Sequence, residues 1–166
     1  KNNNSWRVRN KIEGFKNSSR FFEINDINQI LVNHEYKGVF RIQLDSTLHK
    51  VIDIKPQSEL ALGKNSGLIT YKVQIIYTSE DGVFNYIKSE EKFEKNITLS
   101  EKVSPYKSVK MVVDQTGKLW LFSEHNISFI DNDNLTNQPE ITTVSIPSSL
   151  RKGVLGFENI QHIEKE

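Results

Sequence analysis

The sequence predicts an all-β protein, and three observations support this fold class. Apolar residues occur in short runs rich in Phe, Ile, Val and Leu, such as residues 119–122, which are too short for stable helices. Turn-forming residues separate these runs, and Asp114 and Gly117 are the best example, since the Asp side chain can bond the turn's backbone and the Gly can take a positive φ. The same arrangement recurs along the chain. A repeat of short antiparallel strands follows.

The repeat period can be read from two sets of landmarks. Gly38, Gly82 and Asn126 each open a strand-like segment, and the intervals are 82 − 38 = 44 and 126 − 82 = 44. Asp26 and Asp114 each begin a turn, and 114 − 26 = 88, which is twice 44. A period of this length with several short strands is typical of a β-propeller blade. A β-sandwich with evenly spaced strands is the alternative.

We expect a single domain, residues 1–166, made of roughly three antiparallel four-stranded blades and forming an incomplete ring from a larger propeller. The expected blades are residues 20–54, 68–97 and 108–146, with partial blade strands at residues 5–15 and 154–166. Two places depart from the repeat. In the middle copy the Asp and the Gly of the turn are missing, and Thr70, Tyr71, Lys72 and Val73 stand in place of that turn. In the first copy Gln29 stands where the turn would want Gly.

Composition excludes several classes of protein. The chain has 22 basic and 21 acidic residues, a net charge of +1, so it has no broad positive field for nucleic acid or an anionic membrane. It has no cysteine, which excludes a disulfide scaffold and a thiolate metal site. Its 36% hydrophobic residues are enough for a folded core. We therefore expect a folded module that does not bind nucleic acid.

The sequence contains no catalytic constellation that we recognise. A nucleophile elbow, a phosphate-binding loop, a dinucleotide-binding glycine pattern and a His-Glu-x-x-His helix are all missing. His34 and His125 have similar places in the repeat, but two imidazoles make a weak metal site. Residues 131–134 alternate Asp and Asn without the spacing of a calcium loop, so a plain turn is expected. We predict no enzyme active site, no metal and no cofactor.

Several segments together carry a resemblance to a known family. They are the Asp-x-x-Gly-x-x-Trp pattern of residues 114–120 and the segments 6–15, 34–41 and 156–160. This pattern resembles the two-component regulator propeller family. In that family such blades build the sensor half of bacterial hybrid histidine kinases and related transmembrane regulators. The resemblance covers most of the chain and identifies a blade pattern, while it says little about the ligand.

The resemblance implies a role in signal transduction. The chain is expected to be part of the periplasmic, extracytoplasmic sensor domain of a two-component signalling protein, attached to the membrane only through its parent. It would sense an extracellular nutrient such as a glycan. Expected partners are other blades of the same parent chain and, through exposed strand edges, a second copy in a homodimer. The alternative is a propeller that acts as a protein-interaction scaffold and senses no small ligand.

The expected ligand-binding residues lie in the loops between the second and third strands of the blades. His34, Tyr36 and His125 are the candidates, and we expect all three to be exposed. Their rings can stack on a sugar, and their polar edges can orient hydroxyl groups. Trp120 is not among them, because its place in a strand predicts burial between blades.

Overall fold

The computed structural model describes residues 7–19, 21–61, 66–103, 110–122, 126–130 and 141–145. In this part of the chain the strands form three separate sheets of four antiparallel strands, and each sheet is a simple meander. One short helix lies between the second and third sheets. The prediction of a mostly β chain with antiparallel four-stranded sheets is confirmed.

The strands follow one another in chain order. The first sheet contains β1 (Phe21–Asp26), β2 (Gln29–His34), β3 (Gly38–Leu44) and β4 (Val51–Pro56). The second contains β5 (Gly67–Tyr71), β6 (Gln74–Ser79), β7 (Gly82–Ile87) and β8 (Lys92–Lys95), and α1 (Ile97–Val103) follows it. The third contains β9 (Lys110–Val113), β10 (Leu119–Phe122), β11 (Asn126–Ile130) and β12 (Ile141–Ser145). The third strands begin at Gly38, Gly82 and Asn126, the residues that define the sequence period.

The turns between first and second strands differ in length. In the first two sheets Asp26 pairs with Gln29 and Tyr71 with Gln74, so each turn has only two residues. In the third sheet Gly117, with φ 80°, closes a longer turn between Val113 and Leu119. Gln29 therefore has no need to be Gly, because the shorter turn has no place equivalent to Gly117. The middle copy closes with Lys72 itself in a left-handed conformation, φ 56°.

Two apolar layers hold the sheets together. The first junction, between the first and second sheets, contains the buried cluster Leu31, Val39, Leu60, Leu68, Ile75, Tyr77, Phe84, Tyr86 and Phe93. The second junction, between the second and third sheets, contains Tyr71, Ile76, Val83, Leu99, Val103, Leu119, Leu121 and Ile130. Contacts between β1 and β5, and between β5 and β9, place the first strands of the three sheets side by side.

The helix α1 was not predicted, although a local signal marks its start. Asn96 is its N-cap, and its side-chain oxygen accepts a hydrogen bond of 2.9 Å from the Leu99 backbone N–H. Ser100 in the helix exchanges hydrogen bonds with the backbone of Val83. Seven residues make only two turns, so the apolar pattern of α1 is too short to show helical periodicity. Its Leu99 and Val103 complete the second junction.

The expected partial strands are not seen in the described residues. Residues 7–15 form no strand, and only Glu13 makes a bridge, with Lys50. Two backbone bonds attach it, from the Glu13 N–H to the His49 carbonyl and from the Val51 N–H to the Glu13 carbonyl, both 2.8 Å. One attached residue cannot extend a ladder, and the left-handed Gly14 (φ 106°) follows it at once. Residues 5–6, 131–134 and 154–166 lie outside the described part of the chain.

Candidate functional site

Each sheet has two edges formed by turns, and the first two sheets share the same orientation. The His34 edge carries the turns between second and third strands, and there the Asn33 amide donates to Ser66 Oγ at 3.1 Å. The opposite edge, which we call the Asp114 edge, carries the turns between first and second strands and between third and fourth strands. There Lys88 Nζ donates to the Asn25 carbonyl at 2.9 Å. Equivalent turns of the first and second sheets therefore lie near one another.

The candidate site on the His34 edge is the turn that joins β2 to β3. The Tyr36 backbone N–H donates to His34 Nδ1 at 3.1 Å, and the Lys37 N–H donates to the His34 carbonyl at 3.2 Å. Because Nδ1 accepts, the neutral imidazole carries its proton on Nε2. The His34 and Tyr36 rings meet edge to face, with centroids 6.3 Å apart. The turn is thus held by its own side chain.

The three expected site residues are placed differently. Tyr36 is 58% exposed at the tip of the turn, as expected. The expectation that His34 is exposed is wrong, since it is 9% exposed. It is the last residue of β2 and its ring folds against its own turn, so its Nδ1 serves the backbone. His125 lies outside the described residues, and its proximity to the other two stays a prediction.

A contact from the N-terminal segment borders the same turn. Lys37 Nζ donates to the Asn17 side-chain oxygen at 2.7 Å. Ser19 Oγ lies within hydrogen-bond distance of the carbonyls of Phe21 (2.8 Å) and Asn33 (3.3 Å), at the start of β1 and the end of β2. The Lys37–Asn17 bond therefore attaches the N-terminal segment to the turn that carries the exposed Tyr36 ring. A turn with an exposed ring and polar groups is suited to a ligand that offers both an apolar face and hydroxyls.

A second polar group was not foreseen from the sequence. We name it the junction cluster, and it consists of Asn25, Gln29, Arg41, Gln43 and Glu91. Arg41 Nη1 bonds Glu91 Oε1, and Gln29 Nε2 donates to Gln43 Oε1 at 3.2 Å and to Glu91 Oε1 at 3.4 Å. The Asn25 amide in turn donates to Gln29 Oε1. The cluster crosses the first junction toward the Asp114 edge.

The charged pair in this cluster is unequally buried. The Arg41 side chain is 7% exposed, whereas that of Glu91 is 48% exposed and can still be hydrated. Glu91 ends the turn from β7 in a left-handed conformation, φ 53°, which costs about 1 kcal/mol or more in a non-glycine residue. The contact that compensates it is the ion pair with a guanidinium held inside the first junction.

Tyr86 contributes a hydroxyl near the same charges. Its ring packs on Phe93 with centroids 5.0 Å apart, and its buried hydroxyl has no hydrogen-bond partner among the described residues. Burial raises the pKa of Tyr86, and the Arg41 charge lowers that pKa while those of Glu91 and Glu59 raise it. The hydroxyl is therefore neutral at physiological pH, and its burial is an uncompensated cost.

The junction cluster joins the first sheet to the second through hydrogen bonds and an ion pair. Its amides, guanidinium and carboxylate bond one another, so a ligand entering here would have to break those bonds. In the described ranges no three His, Cys, Asp or Glu side chains are grouped as a metal site would need. Nor does the described part of the chain contain a helix long and apolar enough to cross a membrane.

The Asp114 turn explains the spacing of the Asp-x-x-Gly-x-x-Trp pattern. Asp114 Oδ1 accepts from the Thr116 N–H at 2.8 Å and the Lys118 N–H at 3.0 Å, and Oδ2 accepts from Trp120 Nε1 at 2.7 Å. These bonds hold the pKa of Asp114 well below its usual range, and the bond from Trp120 contributes most. Trp120 was expected to be buried between blades. It is half-buried and packs on Phe129, with centroids 5.0 Å apart.

These features define a class of protein, a series of four-stranded antiparallel meanders packed face to face with their first strands adjacent. No family model matches the sequence, and no curated protein matches it significantly. Two solved structures are similar in fold, each at 11% sequence identity. One is the iodide structure of a Trichoderma reesei carbohydrate-active enzyme of family AA12, with a TM-score of 0.50 over 82% of this chain and 46% of that one.

The other is the holo form of the pyranose dehydrogenase PQQ domain from Coprinopsis cinerea, with a TM-score of 0.47 over 79% of this chain and 39% of that one. The chain thus spans less than half the length of either structure. At this level of identity the likeness to the first structure concerns the fold alone.

Proposed function

We propose that the three sheets are blades of a β-propeller and that the chain is part of a ligand-sensing domain. The side-by-side first strands support the blade assignment, because the innermost strands of a propeller lie around a common axis. The resemblance of the repeat to the two-component regulator propeller family supports the sensing role. In this proposal the parent is a periplasmic sensor of a two-component signalling protein, and further blades continue the series.

The observation that best supports a ligand site on this chain is the exposed Tyr36 ring on a turn fixed by hydrogen bonds. The ring packs edge to face on His34, and Lys37 of the same turn donates a hydrogen bond to Asn17. A sugar offers an apolar ring face for stacking and hydroxyls for such polar groups. The ligand class that we propose is therefore a neutral glycan. The net charge of +1 is consistent with a ligand that carries no charge.

A binding role suits the described residues better than a catalytic one. His34 Nδ1 accepts a hydrogen bond from the backbone of its own turn, so His34 is poorly placed to act as a general base. Glu91 is paired with Arg41, and Glu23 accepts a hydrogen bond of 2.6 Å from Thr70 Oγ1. Each of these groups is engaged within the fold. We accordingly assign no reaction to this chain.

The test is a binding measurement with defined neutral sugars. The chain is titrated with gluco-, manno- and xylo-oligosaccharides by calorimetry, and Tyr36→Ala is compared with Tyr36→Phe. Loss of stacking predicts at least a tenfold weaker affinity for Tyr36→Ala, about 1.4 kcal/mol, and a smaller change for Tyr36→Phe. Val73→Ala is the control, because Val73 is also an exposed turn residue, 90% exposed against 58% for Tyr36, but lies on the Asp114 edge.

The parent protein provides the signalling half of the test. An oligosaccharide that binds the chain should change the autophosphorylation of the membrane-inserted parent, and Tyr36→Ala should abolish that change. If no oligosaccharide binds, or if Tyr36→Ala binds as tightly as the original chain, the glycan site is refuted. The scaffold alternative then becomes the better account of the fold.

A further inference from the structure

The turn that carries Tyr36 depends on one acceptor atom, Nδ1 of His34. This atom accepts the Tyr36 backbone N–H at 3.1 Å, two residues further along the chain. Asn and Asp side chains close turns in the same way, with an oxygen in place of the nitrogen. Since His34 is buried, water has little access to replace this bond. The position of the Tyr36 ring therefore depends on Nδ1 remaining an acceptor.

This acceptor exists in only one protonation state of the imidazole. In the neutral ring one nitrogen donates and the other accepts, whereas both nitrogens donate once the ring is protonated. Protonation would thus set an Nδ1–H group against the Tyr36 N–H, so the bond is lost and the turn has to rearrange. Histidine is the side chain that ordinarily changes charge between about pH 5 and 8. Moderate acid is therefore expected to release the turn.

The charged groups around the imidazole do not offset this loss. Glu35 and Lys37 lie in the turn, and Lys16 lies in the N-terminal segment. Among the described residues, no hydrogen bond or ion pair joins any of these three to the ring. Arg20, immediately before β1, lies outside the described residues. The contacts that neighbouring segments make with this turn and with the end of β2 come from uncharged side chains, those of Asn17, Ser19 and Ser66.

We propose that His34 is a positioning residue of the glycan site and makes ligand binding depend on pH. The inference rests on the proposed function, in which the Tyr36 ring stacks on a sugar. Neutral His34 holds the Tyr36 backbone and meets its ring edge to face. A ligand that needs this arrangement binds the neutral form, so in acid its binding releases the proton from Nδ1 of His34 to the solvent. The affinity for the ligand falls as the pH falls.

Two substitutions separate the acceptor of His34 from its ring. His34→Asn keeps an acceptor for the Tyr36 N–H and does not titrate, whereas His34→Phe keeps an aromatic ring and has no acceptor. Binding of gluco-, manno- and xylo-oligosaccharides is measured by calorimetry at about pH 7.5 and about pH 5.5. For the original chain we expect at least about threefold weaker affinity at the lower pH, with proton release seen as a buffer-dependent enthalpy.

The two variants should lose the pH dependence in different ways. His34→Asn should bind equally well at both pH values, and His34→Phe should bind at both with the weak affinity of the acidified original chain. Circular dichroism verifies that both are folded. If the pH dependence persists in His34→Asn, or if His34→Phe binds like the original chain at neutral pH, the proposal is overturned.

Two other histidines provide the controls. His49 is exposed on the Asp114 edge, and its Nδ1 lies 2.8 Å from the Thr47 carbonyl. His49→Asn should leave the pH dependence of binding unchanged. His125 is the other candidate of the glycan site, so His125→Asn tests it as the alternative origin of the effect. Loss of the pH dependence in His125→Asn would contradict the assignment to His34.

A measurement without ligand separates this inference from the glycan site. Nitrogen NMR of the imidazole shows which ring nitrogen holds the proton, and hydrogen exchange reports the Tyr36 amide. We expect the proton on Nε2 at about pH 7.5, and at about pH 5.5 a Tyr36 amide that exchanges faster than in His34→Asn. A proton on Nδ1 at neutral pH, or an amide that protonation leaves unaffected, refutes the proposal even where sugars bind. If the turn responds and no sugar binds, the glycan site is refuted and the pH-dependent turn is confirmed.

Discussion

The two junctions between sheets occupy equivalent places in the fold and differ in chemistry. The second junction is sealed by side chains such as Ile76 and Leu119, together with the helix α1. The first has an apolar cluster of similar size and adds a charged pair, Arg41 with Glu91, and a chain of amides. Both hold two meanders face to face. Apolar burial is thus the shared requirement, and the polar bonds are particular to the first junction.

One position shows how freely the side chain can vary. Arg41, Asn85 and Phe129 lie at the fourth residue of the third strand in the three sheets. The first is paired with Glu91, the second has a buried Oδ1 that finds no partner among the described residues, and the third packs on Trp120. The backbone pairing is conserved among all three sheets. The strand pairing is therefore compatible with a charged, a polar and an aromatic side chain at this position, each with different surroundings.

The largest expected effect is on the second junction. Ile76→Ala removes a side chain that is fully buried between two sheets, and the cavity should lower the free energy of unfolding by about 3 to 4 kcal/mol. Urea denaturation monitored by circular dichroism measures it. The matched control is Ile24→Ala, the same substitution on an exposed strand face, with an expected change below about 0.5 kcal/mol in the monomer. Equal effects of the two substitutions would contradict the assigned core.

A smaller loss of stability is expected when the junction cluster is disrupted. Arg41→Ala leaves Glu91 without its partner and Gln29 with fewer bonds, but Glu91 is partly hydrated, so we expect a loss of about 2 kcal/mol. Lys55, which pairs with Arg41 across the ladder and is exposed, provides the control Lys55→Ala, with a change near zero. A loss as large as that of Ile76→Ala would mean that the junction cluster contributes as much stability as the apolar core does.

Tyr86→Phe should act in the opposite direction. It removes a buried hydroxyl that lacks a partner and keeps the ring contact with Phe93, so the free energy of unfolding should rise by about 1 kcal/mol. Thermal and urea melts of this variant are compared with those of Tyr36→Phe, where an exposed hydroxyl is lost and no change is expected. Destabilisation by Tyr86→Phe would show that the hydroxyl has a partner in solution.

The smallest effect concerns the pH dependence of stability. Burial raises the pKa of Glu23 above the ordinary value of 4.5, and the hydrogen bond from Thr70 opposes this only in part. The folded state therefore binds this proton more tightly than the unfolded chain. The contribution to stability is present below pH 4.5 and is lost as the pH rises through the raised pKa. Glu23→Gln should flatten this part of the stability profile, and an unchanged slope would contradict the shift.

The sequence predicts the period of this fold better than its contacts. Asp114 and Gly117 mark a turn by local chemistry, and the structure confirms both roles. In the junction cluster Arg41 pairs with Glu91, which is fifty residues away in the sequence, and neither side chain carries a local signal for such a pair. Lys72 adopts a left-handed turn without being Gly, because the flanking ladder imposes it. The burial of His34 likewise depends on how its ring folds back, which strand spacing does not determine.

The meander order of the sheets has a consequence for how the chain folds. Phe21 pairs with Asn33, and Gln43 with Asp53, so partners within a sheet are close in sequence. Contacts of this kind close short loops, which favours fast formation of hairpins. During synthesis the first sheet can complete its pairing soon after Pro56 emerges, before the second is made. An early sheet then offers Leu31 and Val39 as the surface on which the next one assembles, so the order of translation is also an order of docking.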